Sequence, residues 1–169
     1  TGQPTGDNVL HRAAPVEADV ERLEAVRQQL FVVREGRPRP LLDDKVLTDW
    51  NGLMIAALSK AAVAFNEPRY AHRASTAADF LLSTMQTADG LLLHRYRNGD
   101  AGIAANLDDY AFLVWGLFEL YEATFVEQYL AEALSLHRTM NEHFADDDGG
   151  GYFFTADGSE ELLFRQKEY

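Results

Sequence analysis

The stretch Leu42-Asp43-Asp44-Lys45-Val46-Leu47-Thr48-Asp49-Trp50 returns as Leu107-Asp108-Asp109-Tyr110-Ala111-Phe112-Leu113-Val114-Trp115. In both copies a Leu-Asp-Asp triplet is followed, eight residues after its Leu, by a Trp. Each copy runs on into an apolar stretch and then a second helical stretch that opens near a tyrosine (Tyr70, Tyr129). Each then reaches an acidic glycine turn (Asp89-Gly90, Asp148-Gly149) and a short aromatic or aliphatic run (Leu91 to Tyr96, Tyr152 to Thr155). The unit recurs every ~60 to 65 residues, somewhat above the usual period of repeat arrays, whose members bury apolar faces against one another.

The pattern within each unit is consistent. Residues 46–86 form the first predicted helical hairpin. Its first helix carries Val46, Trp50, Leu53, Met54, Ala57, Leu58 and Ala61 and is apolar on most sides; Asn66-Glu67-Pro68 breaks it. Its second helix is two-faced, with Tyr70, Ala74, Ala77, Ala78 and Leu81 set against Arg73, Thr76, Asp79 and Ser83. Residues 107–144 form the second hairpin and repeat the contrast. Leu107 to Ala123 is apolar nearly all round, and Val126 to Phe144 is amphipathic. Buried helix, half-buried helix, short strand, repeated, predicts an all-α protein of the α/α toroid class: an inner ring packed on both sides and an outer ring with one wet face. The competing architecture is an ordinary helical bundle. Outside the hairpins, residues 1–16 read as loop and 17–35 as an amphipathic helix ended by Gly36 and Arg37-Pro38, while 152–169 read as a strand-like end. The whole of 1–169 is taken as a fragment of one toroid domain. Thr1 in place of an initiator Met, and an end at Tyr169 with no stop signal, predict an internal piece of a longer chain.

Composition limits the partners. With 169 residues the chain is long enough for a real core. A net charge of −12 disfavours nucleic acid and anionic membrane surfaces. No apolar run is long enough to span a membrane, no signal peptide opens the chain, and there is no cysteine for a disulfide or thiol chemistry. A cytoplasmic location is expected.

The acidic pairs Asp43-Asp44 and Asp108-Asp109 precede the two inner helices. One Asp per helix is explained as an N-cap that meets the positive end of the dipole. A second, adjacent like charge exceeds that need. If inner helices converge at one end of a ring, the four carboxylates face one cavity, and paired carboxylates do acid/base work on glycosidic bonds. The strand-like runs should rim the same end. This brings His94 in as a proton carrier and makes Arg95, Tyr110, Tyr152, Trp50 and Asn51 candidate sugar contacts. The catalytic candidates are therefore Asp43, Asp44, Asp108, Asp109 and His94. No pair of histidines has metal-ligand spacing. Asp146-Asp147-Asp148 lacks the spacing of a calcium loop and reads as an acidic turn. No metal and no cofactor are expected.

The run from Arg39 to Ala56, Arg-Pro-Leu-Leu-Asp-Asp-Lys-Val-Leu-Thr-Asp-Trp-Asn-Gly-Leu-Met-Ile-Ala, resembles the signature of the thioredoxin-domain-containing family typified by spermatogenesis-associated protein 20. Leu107 to Leu113, Gly149 to Thr155 and Asn8-Val9-Leu10-His11-Arg12 are similar to other segments of that family. Leu41 departs from it, since relatives often carry a polar residue or His there. The resemblance implies a six-hairpin α/α toroid similar to N-acylglucosamine epimerases and glycosidases, accompanied elsewhere by a thioredoxin-like domain. This chain would be an internal piece of the toroid. Two functional readings follow. The first is sugar isomerase, epimerase or glycosidase-like acid/base chemistry on a small sugar ligand; the second is a non-catalytic scaffold or protein-binding module. Doubled acids and aromatics at one ring end favour the first. An incomplete ring also predicts that the chain associates with itself or with the rest of its own toroid.

Overall fold

In a computed structural model of the protein, the described residues are 20–158 and 164–167. The expected N-terminal loop, the start of the 17–35 helix and much of the strand-like end lie outside them. The chain divides into two compact units, Thr1–Asp43 and Asp44–Tyr169. In the first unit α1 (Val20–Glu35) forms on the predicted spacing, and none of its residues is buried. Arg27 Nε donates to Glu24 Oε2 at 2.7 Å along its surface, and Arg39 pairs with Glu35.

The second unit holds two helical hairpins and a small sheet. The elements run β1 (Val46–Leu47), α2 (Thr48–Ala64), α3 (Pro68–Thr84), β2 (Leu93–Arg97), β3 (Asp100–Ala104), α4 (Leu107–Thr124) and α5 (Glu127–Phe144). The two hairpins match at one offset. Thr48 to Leu107, Pro68 to Glu127, Tyr70 to Tyr129 and Asp89-Gly90 to Asp148-Gly149 are each 59 residues apart. The Leu-Asp-Asp and Trp repeats, 65 residues apart from Leu42 to Leu107, lie in a different register. Accordingly Val46-Leu47 is not the start of a helix. It pairs antiparallel with β2, Val46 opposite Tyr96 and Leu47 opposite Arg95. Asp43-Asp44 therefore does not cap α2, whose N-cap position is Leu47 with no side-chain cap.

The strand run expected at Leu91 to Tyr96 is half of a hairpin. β2 and β3 are joined by Asn98-Gly99, whose φ angles of 53° and 82° are those of a tight hairpin turn. Asn-Gly is the dipeptide that adopts this turn at least cost. The sheet order β1-β2-β3 lays its central strand beside the starts of both inner helices.

The outer helices bury the predicted stripe: Ala74, Ala78 and Leu81 on α3, and Tyr129, Ala133, Leu136, Met140 and Phe144 on α5. The inner helices are not buried all round. α4 buries Tyr110, Leu113, Leu117 and Leu120 but exposes 44% of Trp115, and α2 leaves Trp50 69% exposed. Both retain an uncovered apolar face, so only the contacts within two hairpins are satisfied.

α2 and α4 meet at two glycines. A Cβ on Gly52 would lie 2.5 Å from the carbonyl carbon of Phe112 and 2.6 Å from the Leu113 nitrogen; one on Gly116 would lie 2.6 Å from the Gly52 carbonyl oxygen. These are backbone atoms and cannot rotate away. Gly52→Ala is therefore expected to cost about 2 kcal/mol despite its gain in helix propensity, seen as a lower midpoint in urea. Gly158→Ala meets nothing within 4 Å and should leave the midpoint unchanged.

Candidate active site

The site is built around Asp109. It is the third residue of α4 and, at 1% exposure, almost sealed from solvent. A carboxylate at such a position needs N–H donors in place of water. Its Oδ2 accepts the Asn106 backbone N–H at 2.8 Å, which completes a capping box with the Asn106 side chain. Its Oδ1 accepts the backbone N–H of Asp49 in the first turn of α2 at 3.0 Å. The Nδ1 of His94, on β2, lies 3.0 Å from both oxygens. One carboxylate thus ties together the starts of two inner helices and the central strand. Burial pushes the Asp109 carboxyl above its ordinary range, against the downward pull of the Asn106 N–H and the His94 ring.

The His94 side chain is 25% exposed. Its Nδ1 faces the carboxylate, and its Nε2 makes no hydrogen bond among the described residues. The neighbouring strand is fixed by the buried Thr48, whose hydroxyl donates to the Leu93 carbonyl at 2.6 Å. Asp49, His94 and Asp109 each bring a potential ligand atom within 4.8 Å of the others, although the sequence shows no metal-ligand spacing. The two Asp109 oxygens already accept N–H groups from three residues. The arrangement is therefore that of a hydrogen-bonded dyad.

The predicted site residues separate. Asp109 and His94 come together as expected. Asp44 lies on the same strand's flank but pairs with Arg97, Nε to Oδ1, at 2.6 Å. Asp108 is half-buried in the first turn of α4, and Asp43 belongs to the other unit. The second acid that brings a ligand atom close to Asp109 is Asp49, which sequence reasoning missed. The 59-residue offset would have matched Asp49 with Asp108. Asn106-x-x-Asp109 was a readable capping signature.

Among the expected sugar contacts, Tyr110 is a core residue. It is 2% exposed, its hydroxyl accepts the Leu92 N–H at 2.9 Å, and its ring lies 5.2 Å from that of Phe144. Burial raises its hydroxyl pKa. The Tyr152 hydroxyl donates to Asn141 Oδ1 at 2.5 Å. Arg95 pairs with Asp100 at 3.2 Å. Asn51 donates from Nδ2 to the Leu47 carbonyl at 2.7 Å and borders a cavity, while Trp50 stands exposed beside it in sequence. The triple-Asp turn is structural. Asp146 Oδ1 accepts the Asp148 and Gly149 N–H groups, and the Lys167 ammonium beside it holds its pKa at about 2.

Two inner helices, two amphipathic outer helices and strands rimming the inner N-termini define an α/α toroid protein. The fold is similar to cellobiose 2-epimerase of Spirochaeta thermophila (TM-score 0.58, 17% identity, 65% of this chain and 28% of that one). It is also similar to a GH76 α-mannanase of Bacteroides thetaiotaomicron (TM-score 0.57, 20% identity, 80% and 42%). No family model matches the chain. In sequence it is 36% identical to human spermatogenesis-associated protein 20 and 34% to the mouse protein, each over 90% of this chain. An uncharacterized protein of Caenorhabditis elegans is 32% identical over 86%. The chain belongs to the family of spermatogenesis-associated protein 20, and it spans 22% of the length of the human and mouse relatives. Among the described residues, no helix is long and apolar enough to cross a membrane.

The sign of Asp109's titration is testable. Its folded pKa lies above its unfolded one, so its contribution to stability is fully present below the ordinary carboxylate value and is lost as pH rises through the folded value. Asn at this position cannot ionise. The stability difference between wild type and Asp109→Asn should therefore shift against wild type across that rise, measured by urea unfolding from pH 4 to pH 8. Asp109→Ala, which orphans two backbone N–H groups, should lose about 3 kcal/mol.

Proposed function

We propose that this toroid segment carries acid/base chemistry on a carbohydrate, of the isomerase, epimerase or glycosidase kind, with His94 as proton carrier and Asp109 as its positioning partner. The observation that carries this reading is the His94 ring held at 3.0 Å by a buried carboxylate with its other nitrogen unpaired. A carboxylate so placed fixes the tautomer and stabilises the imidazolium once His94 has taken a proton. The toroid fold, seen in a sugar epimerase and a mannanase, supports the substrate class by analogy of architecture.

The alternative is a non-catalytic scaffold. One observation favours it: Asp109 has a complete structural task as capping box and inter-helix clip. The two readings differ in what His94 is for. In the first, the full-length protein in deuterium oxide should incorporate deuterium at a carbon-bound position of a mono- or disaccharide, or hydrolyse a glycoside, and His94→Asn should slow this about 100-fold or more. Mass spectrometry and proton NMR across a sugar panel read both. Neither exchange nor hydrolysis from intact full-length protein would leave the scaffold.

A further inference from the structure

A cavity of about 760 Å³ opens between α2, α3 and β1, bordered by Val46, Asn51, Arg69, His72, Arg73 and Phe80. Its size suits a small molecule. The charge of its lining is opposite to that of the protein. The chain carries a net charge of −12, yet two arginines and a histidine border this cavity and, among the described residues, no carboxylate does. Arg69, His72 and Arg73 lie exposed in the first two turns of α3, whose N-cap is Glu67, so the two arginines sit toward the positive end of its dipole. Arg69 and Arg73 are also four residues apart on one helix, a spacing at which like charges repel. Arg69 is partly answered by Glu67 at 3.5 Å. Arg73 has no ion pair or hydrogen bond among the described residues. Val46 and Phe80 give the cavity an apolar floor, and the Phe80 ring is braced edge-on by Tyr96 at 5.2 Å.

We propose that this cavity binds a small phosphate monoester, its oxyanion held by Arg73 and Arg69 with His72 beside them and its carbon skeleton lying on Val46 and Phe80. A guanidinium pair recognises phosphate oxygens by forked, charge-assisted hydrogen bonds. The negative charge of a phosphate would complement the two guanidinium groups. The proposal does not depend on proton transfer at His94, since none of the residues invoked belongs to the dyad.

Calorimetric titration of the chain with glucose 6-phosphate, inorganic phosphate and glucose tests it. Glucose 6-phosphate should give a saturable heat that glucose does not, and the affinity should fall as salt rises. Arg73→Gln should weaken it at least tenfold, while Arg138→Gln on α5 should bind like wild type. Inorganic phosphate binding as tightly as the sugar phosphate would show that the oxyanion alone is recognised; weaker binding would show that the apolar floor contributes. No saturable heat from either phosphate, or an Arg73→Gln variant that binds like wild type, would overturn the site.

Discussion

A carboxylate that is 1% exposed survives in a folded protein only when N–H groups replace the water it has lost. Asp109 finds them in three segments far apart in sequence: its own N-cap Asn106, the first turn of α2 at Asp49, and β2 at His94. The consequences are geometric. The Asp49 contact sets the height of α2 against α4. The His94 contact fixes the ring's tautomer and direction. The capping box sets where α4 begins. If this carboxylate were removed, the two hairpins would lose their common reference point at the end where the candidate chemistry sits.

The carboxylate can reach α2 only because the inner helices approach closely. Gly52 and Gly116 let backbone pass against backbone, with Ile55, Leu113 and Leu117 closing the core along the same seam. This contact, more than helix propensity, turns two similar hairpins into one packed unit. The outer helices only need to present an apolar stripe, and they do so with alanines, leucines and aromatics at helical spacing.

That division explains what could be read in the sequence. Helical periodicity marks α3, α4 and α5 to within about three residues at their ends, because amphipathic burial writes itself directly into residue order. The start of α2 does not follow the same logic. Val46-Leu47 is apolar in either state, and only a partner strand some fifty positions further on makes it β. The Leu-Asp-Asp echo misled for a related reason. It is a true sequence repeat in the wrong structural register, while Tyr70/Tyr129 and the two Asp-Gly turns carried the register that the fold uses. Asn98-Gly99 was a legible hairpin signal left unread. At the site, His94 and Asp109 were recoverable as residue types placed near an inner-helix start. Asp49 was recoverable only through the 59-residue offset, since the contact it makes to Asp109 is through its backbone N–H. Tyr110 failed as a ligand contact because its neighbour Asp109 and its own place on the helix turn it inward, toward Leu92 and Phe144.

The balance between clip and catalyst rests on His94. A helix clip is complete with backbone donors alone: Asn106 closes the capping box and Asp49 joins the second helix. Adding an imidazole to that carboxylate satisfies no further backbone group. It spends a strand position on a ring that is a quarter exposed, with one nitrogen bound and the other unpaired. A purely structural strand would gain more from an apolar residue there, as the buried neighbour Leu92 illustrates at 2% exposure. The same first turn of α2 that docks on Asp109 presents Asn51 to the cationic cavity. The His94 ring and the positively lined hollow are therefore both referenced to a single helical turn.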